Sequence, residues 1–146
     1  MSAPGPRQNS PMSRQVAVAF CPRTHAYFAH PKHPYRALLE AGVTVCLGTD
    51  SLASTPTLGI LDEMRFLHGR DPSLPGATLL HMATLAGAHA LRREDVCGSL
   101  APGEFADLAV IRLPDRDDED PHRLLLESDG PVIRTMIGGR SAFEMK

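Results

Sequence analysis

Apolar residues fall into short runs along this chain, punctuated by proline and glycine. Val16–Cys21 is continuously apolar and stops at Pro22, the pattern of a strand buried on both faces. Val43–Leu47, bounded by Gly42 and Gly48, repeats it and is β-branched at three of five positions. Between them lie a histidine-bearing loop, Arg23–Pro34, and a short helix, Tyr35–Ala41, opened by Pro34 and closed by Gly42. Strand, loop, helix, strand is the order of a parallel βαβ unit.

The pattern then turns helical. After a Ser/Thr/Pro loop, Leu58–His68 is predicted as a helix, with Leu58, Leu61 and Met64 or Arg65 on one side. A turn at Asp71–Gly76 leads to a longer predicted helix, Ala77–Leu91. Leu79, Met82, Ala83, Ala86 and Ala90 recur at helical spacing, and their small size implies close packing. From Gly98 onward the character is β. A turn-rich stretch precedes a strand at Asp107–Ile111, an acidic run at Asp115–Asp120 reads as a solvated loop, and Val132–Ile137 is a strand followed by a Gly138-Gly139 turn. Residues 1–15, rich in Pro, Ser and Gly, are predicted to be a disordered tail. The chain thus divides into 1–15, an α/β part at 16–97 and a β part at 98–146.

Size and composition narrow the function. With 146 residues the chain makes one modest domain; a whole (β/α)8 barrel takes about 250 residues. A net charge of -2 with no basic stripe argues against nucleic acid as a partner. Cys21, Cys46 and Cys97 form no CxxC pair, which disfavours a disulfide framework and a cysteine zinc site and fits reduced thiols in a cytoplasmic protein. No stretch approaches the roughly 18 apolar residues of a membrane span, and residues 1–15 lack the apolar centre of a signal peptide.

Asp50 is the leading candidate for chemistry. It follows the second strand in Leu47-Gly48-Thr49-Asp50-Ser51, and catalytic groups of parallel α/β folds gather at the C-terminal strand ends. A carboxylate there can bind a metal and take a proton from its water, or it can be a helix cap or turn residue. Ser51 can cap the next turn or orient Asp50 as a supporting hydrogen-bond partner. His25, His30 and His33 share the loop after the first strand, at the same sheet end as Asp50 if the strands pair in parallel. Their spacing is neither i, i+4 nor His-x-His, so substrate hydrogen bonding or loop structure is favoured over a local metal site. Arg23 can meet an anionic substrate group or form a structural ion pair. Asp62 and Glu63 read as a solvated helix face, with Glu63 alternatively reaching a neighbouring element. His68 and His122 show no partner in sequence.

Four motifs in order carry a family resemblance: Cys21-Pro22-Arg23-Thr24-His25, Leu47-Gly48-Thr49-Asp50-Ser51, Met82-Ala83-Thr84-Leu85-Ala86-Gly87-Ala88, and Gly98-Ser99-Leu100-Ala101-Pro102-Gly103-Glu104-Phe105-Ala106-Asp107-Leu108. Over about residues 16–140 the chain resembles the metal-dependent amidohydrolase superfamily, in particular its cytosine deaminase-like, chlorohydrolase-like and adenosyl-nucleoside deaminase branch. The resemblance implies the C-terminal part of a (β/α)8 barrel, its last two strands and following helices, plus strands of a small β-sandwich. It implies Asp50 as metal ligand and proton acceptor, Ser51 beside it, and His25, His30 and Arg23 at the mouth of a pocket for a nucleoside-like or other heterocyclic substrate. The metal would be one divalent ion, zinc or iron, and the reaction hydrolysis of a C–N or C–Cl bond.

The departure from the family pattern is large. The family's His-x-His pair, two further histidines and a proton-shuttling glutamate would all precede residue 16, and no His-x-His occurs in this chain. Glu104 and Arg92 stand where lysine and glycine are common. One carboxylate is an incomplete site, because a catalytic zinc takes three protein ligands. The expectation is a fragment of such a hydrolase that needs the N-terminal portion or associates with itself. The alternative is a catalytically silent piece acting through assembly.

Overall fold

A computed structural model describes residues 16–118 and 120–145; the expected disordered tail, 1–15, lies outside the described residues. The fold is α/β. Strands β1 (Ala17–Phe20) and β2 (Thr44–Leu47) pair in parallel, Ala17 opposite Thr44 and Phe20 opposite Leu47. Side chains alternate across a strand, so Val18, Phe20, Val45 and Leu47 share one face. Ala17, Ala19, Thr44 and Cys46 share the other.

The first face carries the core. Phe20, Val45 and Leu47 pack against Tyr35, Met64, Leu67, Leu79 and Met82, each such side chain adding about 1.5–3 kcal/mol when fully buried. These partners come from α2 (Tyr35–Glu40), α3 (Ile60–Arg70) and α4 (Gly76–Ala83). The next helix, α5 (Leu85–Leu91), packs its small residues Ala86 and Ala88 out of solvent and lies against β2. A second sheet follows, β3 (Leu108–Ile111), β4 (Val132–Ile137) and β5 (Arg140–Glu144), antiparallel in the order β3-β4-β5. Among the described residues no helix is long and apolar enough to cross a membrane.

Three local readings need correction and a fourth is extended. The segment after β1 is not all loop: Pro22–Tyr27 is a helix, α1, with Pro22 in its first turn, where the missing N–H costs nothing. The single helix expected over Ala77–Leu91 is broken at Thr84, whose backbone is non-helical and whose hydroxyl donates to the Leu80 carbonyl at 2.7 Å, a bond that competes with helix continuation. The acidic run, exposed at Asp115–Asp117, ends in a helix cap. Asp120 accepts from the His122 N–H at 2.9 Å and starts α6 (Pro121–Leu126). Beyond the Gly138-Gly139 turn the chain forms β5; both glycines have positive φ, 54° and 76°, as a two-residue hairpin turn requires.

Asp71, just past α3, locks α2 to α3. It accepts from Arg36 Nε at 2.6 Å, Arg36 Nη2 at 2.5 Å and Ser73 Oγ at 2.9 Å, and from the Tyr35 hydroxyl. Arg36 above all holds its carboxyl far below the usual carboxylate range. Burial, then the Asp71 bond, pushes the Tyr35 phenol up to about 12. The pKa of Asp71 is depressed on folding, so its stabilisation is present above the unfolded value and is lost as pH falls through the folded one. Asp71→Asn is therefore expected to be less stable than the parent at neutral pH. Urea titrations should show the gap narrowing as pH drops below about 4. A gap that does not change with pH would count against the lock.

Large apolar side chains remain uncovered. Leu52, Leu91, Leu100 and Ile137 are all more than 60% exposed, and both outer edges of the β1–β2 pair are unpaired among the described residues. Such edges and patches favour association. The 146-residue chain by itself is expected to self-associate or to melt without a sharp transition, as read by light scattering and calorimetry. A monodisperse monomer with cooperative unfolding would contradict this.

Candidate active site

Gly48 ends β2 and brings the two strand tips together. Its N–H donates to the Phe20 carbonyl at 2.9 Å, extending the ladder by one rung. A Cβ at this position would lie 3.0 Å from Cys21 Sγ and 3.9 Å from Ala19 Cβ. Two residues on, Asp50 adopts the left-handed conformation, φ 58°, which Asp enters more readily than most residues. Asp50 is exposed, on a short turn held by Ser51, whose carbonyl accepts from the N–H groups of Ser54 and Thr55.

The hydroxyl that reaches Asp50 belongs to Ser54 rather than Ser51. Ser54 Oγ lies 3.2 Å from Asp50 Oδ2 and 2.8 Å from Thr24 Oγ1, and Ser54 is buried. With Thr24 donating to Ser54, the Ser54 proton is available to the carboxylate. One Asp50 oxygen is thereby engaged by the protein. Ser51 contributes its backbone. Sequence reasoning missed Ser54; its position one helical turn after Asp50, in a Ser/Thr-rich loop, was the available signal.

Glu63 is the deepest charged group, 0% exposed. Arg23 Nε donates to its Oε1 at 2.7 Å, and the Arg23 backbone N–H donates to Oε2 at 2.9 Å. The rest of the guanidinium donates to Thr57 Oγ1 and the Thr57 carbonyl, at 3.0 and 2.8 Å. Of the two readings of Arg23, the geometry is that of the structural ion pair, and Glu63 lies off any solvated face. The pair joins α1, α3 and the loop that carries Ser54. Burial, then the Glu63 and Asp50 carboxylates, pushes the Cys21 thiol up.

His25 and His30 are brought together, but not with Asp50. His25 meets Phe20 edge-on with ring centres 5.7 Å apart, and His33 stacks on Phe20 at 4.2 Å. Phe20 faces the helices, whereas Asp50 adjoins Cys21 and Gly48 on the face of Ala19. The sheet end is shared, as parallel pairing requires; the strand separates the two groups. His68 and His122 do have partners, Glu127 at 3.6 Å and Asp120 at 2.8 Å. Among the described residues no three His, Cys, Asp or Glu side chains converge as a metal site. Asp50, exposed and with one oxygen free of hydrogen-bond partners among the described residues, fits a single ligand position. Alone it does not meet zinc's need for three.

Residues 9–142 match the amidohydrolase family. The chain belongs to that family. It is 35% identical over 146 residues to a 5-methylthioadenosine/S-adenosylhomocysteine deaminase of Pelotomaculum thermopropionicum, covering 92% of this chain and 34% of that protein. A crystal structure of an adenosine deaminase from Xanthomonas campestris with bound zinc superposes with a TM-score of 0.82 at 30% identity, over 90% of this chain and 33% of that one. Atrazine chlorohydrolase from Arthrobacter aurescens, complexed with zinc, gives 0.76 at 30% identity, over 89% and 32%. The chain spans about a third of the length of these proteins.

The ion pair makes a quantitative expectation. Glu63→Ala leaves the Arg23 charge without its buried partner, a change that costs about 3–5 kcal/mol. The loss should appear as reduced amide-exchange protection across α1 and α3. Replacing both partners, Arg23→Met with Glu63→Leu, should cost far less than the sum of the two single changes. Unaltered protection in Glu63→Ala would remove the pair from its central place.

Proposed function

We propose that this chain supplies the strand-end carboxylate of a metal-dependent hydrolase site that acts on a C–N bond of a nucleoside-like heterocycle. The observation that carries the reading is Asp50: a carboxylate just past a parallel strand, in the left-handed conformation, with one oxygen steadied by buried Ser54. Relatives named as deaminases and zinc-bound neighbours support the reaction class and the metal. In this reading β1 and β2 are the last two strands of a (β/α)8 barrel, Ala19 and Asp50 face its interior, and β3–β5 are strands of a small sandwich. The protein works in the cytoplasm.

Asp50 would occupy one position on zinc or iron, the other ligands coming from outside the described residues. When bound, the metal supplies a water of lowered pKa. Asp50 is placed to hold the proton that such a water gives up, and Ser54 keeps its carboxylate from turning away. Arg23 acts through Glu63 and Thr57 on the loop that holds Ser54. It is a positioning residue in this scheme and does not touch substrate. His25 and His30, assigned to substrate by resemblance, lie across β1 from Asp50 and take no part in the metal chemistry.

The test pairs this chain with a family polypeptide that carries the His-x-His and remaining ligands, using 5′-methylthioadenosine as substrate. The chain alone should hold well under one zinc per molecule. The paired preparation should bind zinc and release ammonia. Asp50→Ala should lower that activity beyond the roughly 10–100-fold expected for loss of a supporting partner such as Ser54. Full activity in Asp50→Ala, or stoichiometric zinc on the chain alone, would overturn the assignment. The described residues close no three-ligand group, which also favours a second reading, a catalytically silent assembly piece; it predicts no ammonia in any pairing.

A further inference from the structure

A cavity of about 780 Å³ lies across β1 from Asp50, between α1, α2 and the end of α3. Its walls include Phe20 and Phe66, and the Arg70 guanidinium lies 4.9 Å above the Phe66 ring centre. Its charge is unbalanced. Lys32, Arg36 and Arg70 face a single carboxylate, Asp71. Asp71 is already committed to Arg36, Tyr35 and Ser73. Among the described residues, Lys32 and Arg70 have no carboxylate within ion-pair distance.

Three imidazoles line the same cavity. The ring centre of His25 is 5.5 Å from that of His30 and 5.6 Å from that of His33. His33 Nδ1 is buried with no hydrogen-bond partner among the described residues. Burial first, then His25, holds the His33 pKa below its ordinary value. Protonating His33, half-buried beside His25, is unfavourable unless negative charge enters with the proton.

We propose that this cavity binds a small oxyanion, the phosphate, sulfate or carboxylate group of a small molecule, and binds it more tightly as pH falls through the histidine range. The Arg70 fork suits two oxygens of such a group, Lys32 adds a mobile charge at the rim, and the histidines add donors when protonated. By reciprocity the bound anion raises the histidine pKa values as far as their protonation tightens its binding. Tyr35 stays neutral and Arg36 stays paired with Asp71 across this range, so the histidines alone set the pH dependence. The site is independent of Asp50 and of any metal.

Histidine-ring NMR of the whole chain, with chelator present, tests it. Sulfate is the first probe and acetate the second, both titrated at constant ionic strength against chloride; neither changes charge between about pH 6 and pH 8, where imidazole titrates. Saturable shifts of the His25, His30 and His33 signals are expected, with exposed His89 as the internal control. Affinity should be about tenfold higher at the lower pH, the change expected when protonation couples to binding by one pKa unit. Lys32→Gln with Arg70→Gln, both exposed positions, should abolish saturation. Response to sulfate alone marks a sulfate- or phosphate-type site, and response to both probes marks a general oxyanion site. Shifts no different from chloride, or undiminished in the double variant, would overturn the proposal.

Discussion

The buried Arg23–Glu63 pair is the constraint on which the candidate site rests. Both oxygens of Glu63 are consumed, one by the guanidinium and one by the first turn of α1. The remaining guanidinium donors hold Thr57. Two segments forty positions apart, α1 and α3, therefore meet at one fully buried carboxylate, and the same guanidinium ties in the loop just before α3. A buried pair of this kind adds little net stability over apolar packing, but losing one partner is severe. Its value here is geometric. It sets where α1 leaves β1, and so where Thr24 and Ser54 stand beside Asp50.

β1 then acts as a partition. Phe20 and Cys21 are neighbours in the chain but turn to opposite sides. Cys21 joins Gly48 and Asp50, while Phe20 gathers His25, His33 and Tyr35. The histidines and the carboxylate share an end of the sheet without sharing a chamber. Two chemistries, one acidic and open, one basic and aromatic, are built from adjacent residues of a single strand.

β1 and β2 were legible because short continuous apolar runs stopped by Pro or Gly leave few other readings, and β4 because its residues alternate; in the fold Ala19 of β1 is nevertheless exposed and β4 is only partly covered. Asp50 was legible because a strand end followed by Gly and a carboxylate is a local pattern. What escaped depends on distant partners or on double meanings. Glu63 looks like any acidic helix residue until Arg23, forty positions away, removes it from water. Pro22 was read as the end of a strand when it is also the start of α1, and Asp120 as part of a charge run when it is a cap. Ser54 was missed for Ser51 because sequence adjacency is a poor guide to which hydroxyl a left-handed Asp will face. The histidine cluster was visible, but the side of the strand it occupies was not.

The parallel pairing of β1 with β2 has a consequence for assembly in time. Ile137 pairs with Arg140 across a two-glycine turn, whereas Ala17 must find Thr44 across two helices, α1 and α2, and the loop between them. Hairpins close in microseconds, and contacts distant in sequence wait on loop closure. The β4–β5 hairpin is thus a local, early event, and the joining of the β1 and β2 tips a late one. The turn bearing Asp50 follows β2 directly, so its placement waits on that joining, and a chain caught before it would carry the hairpin without the candidate site.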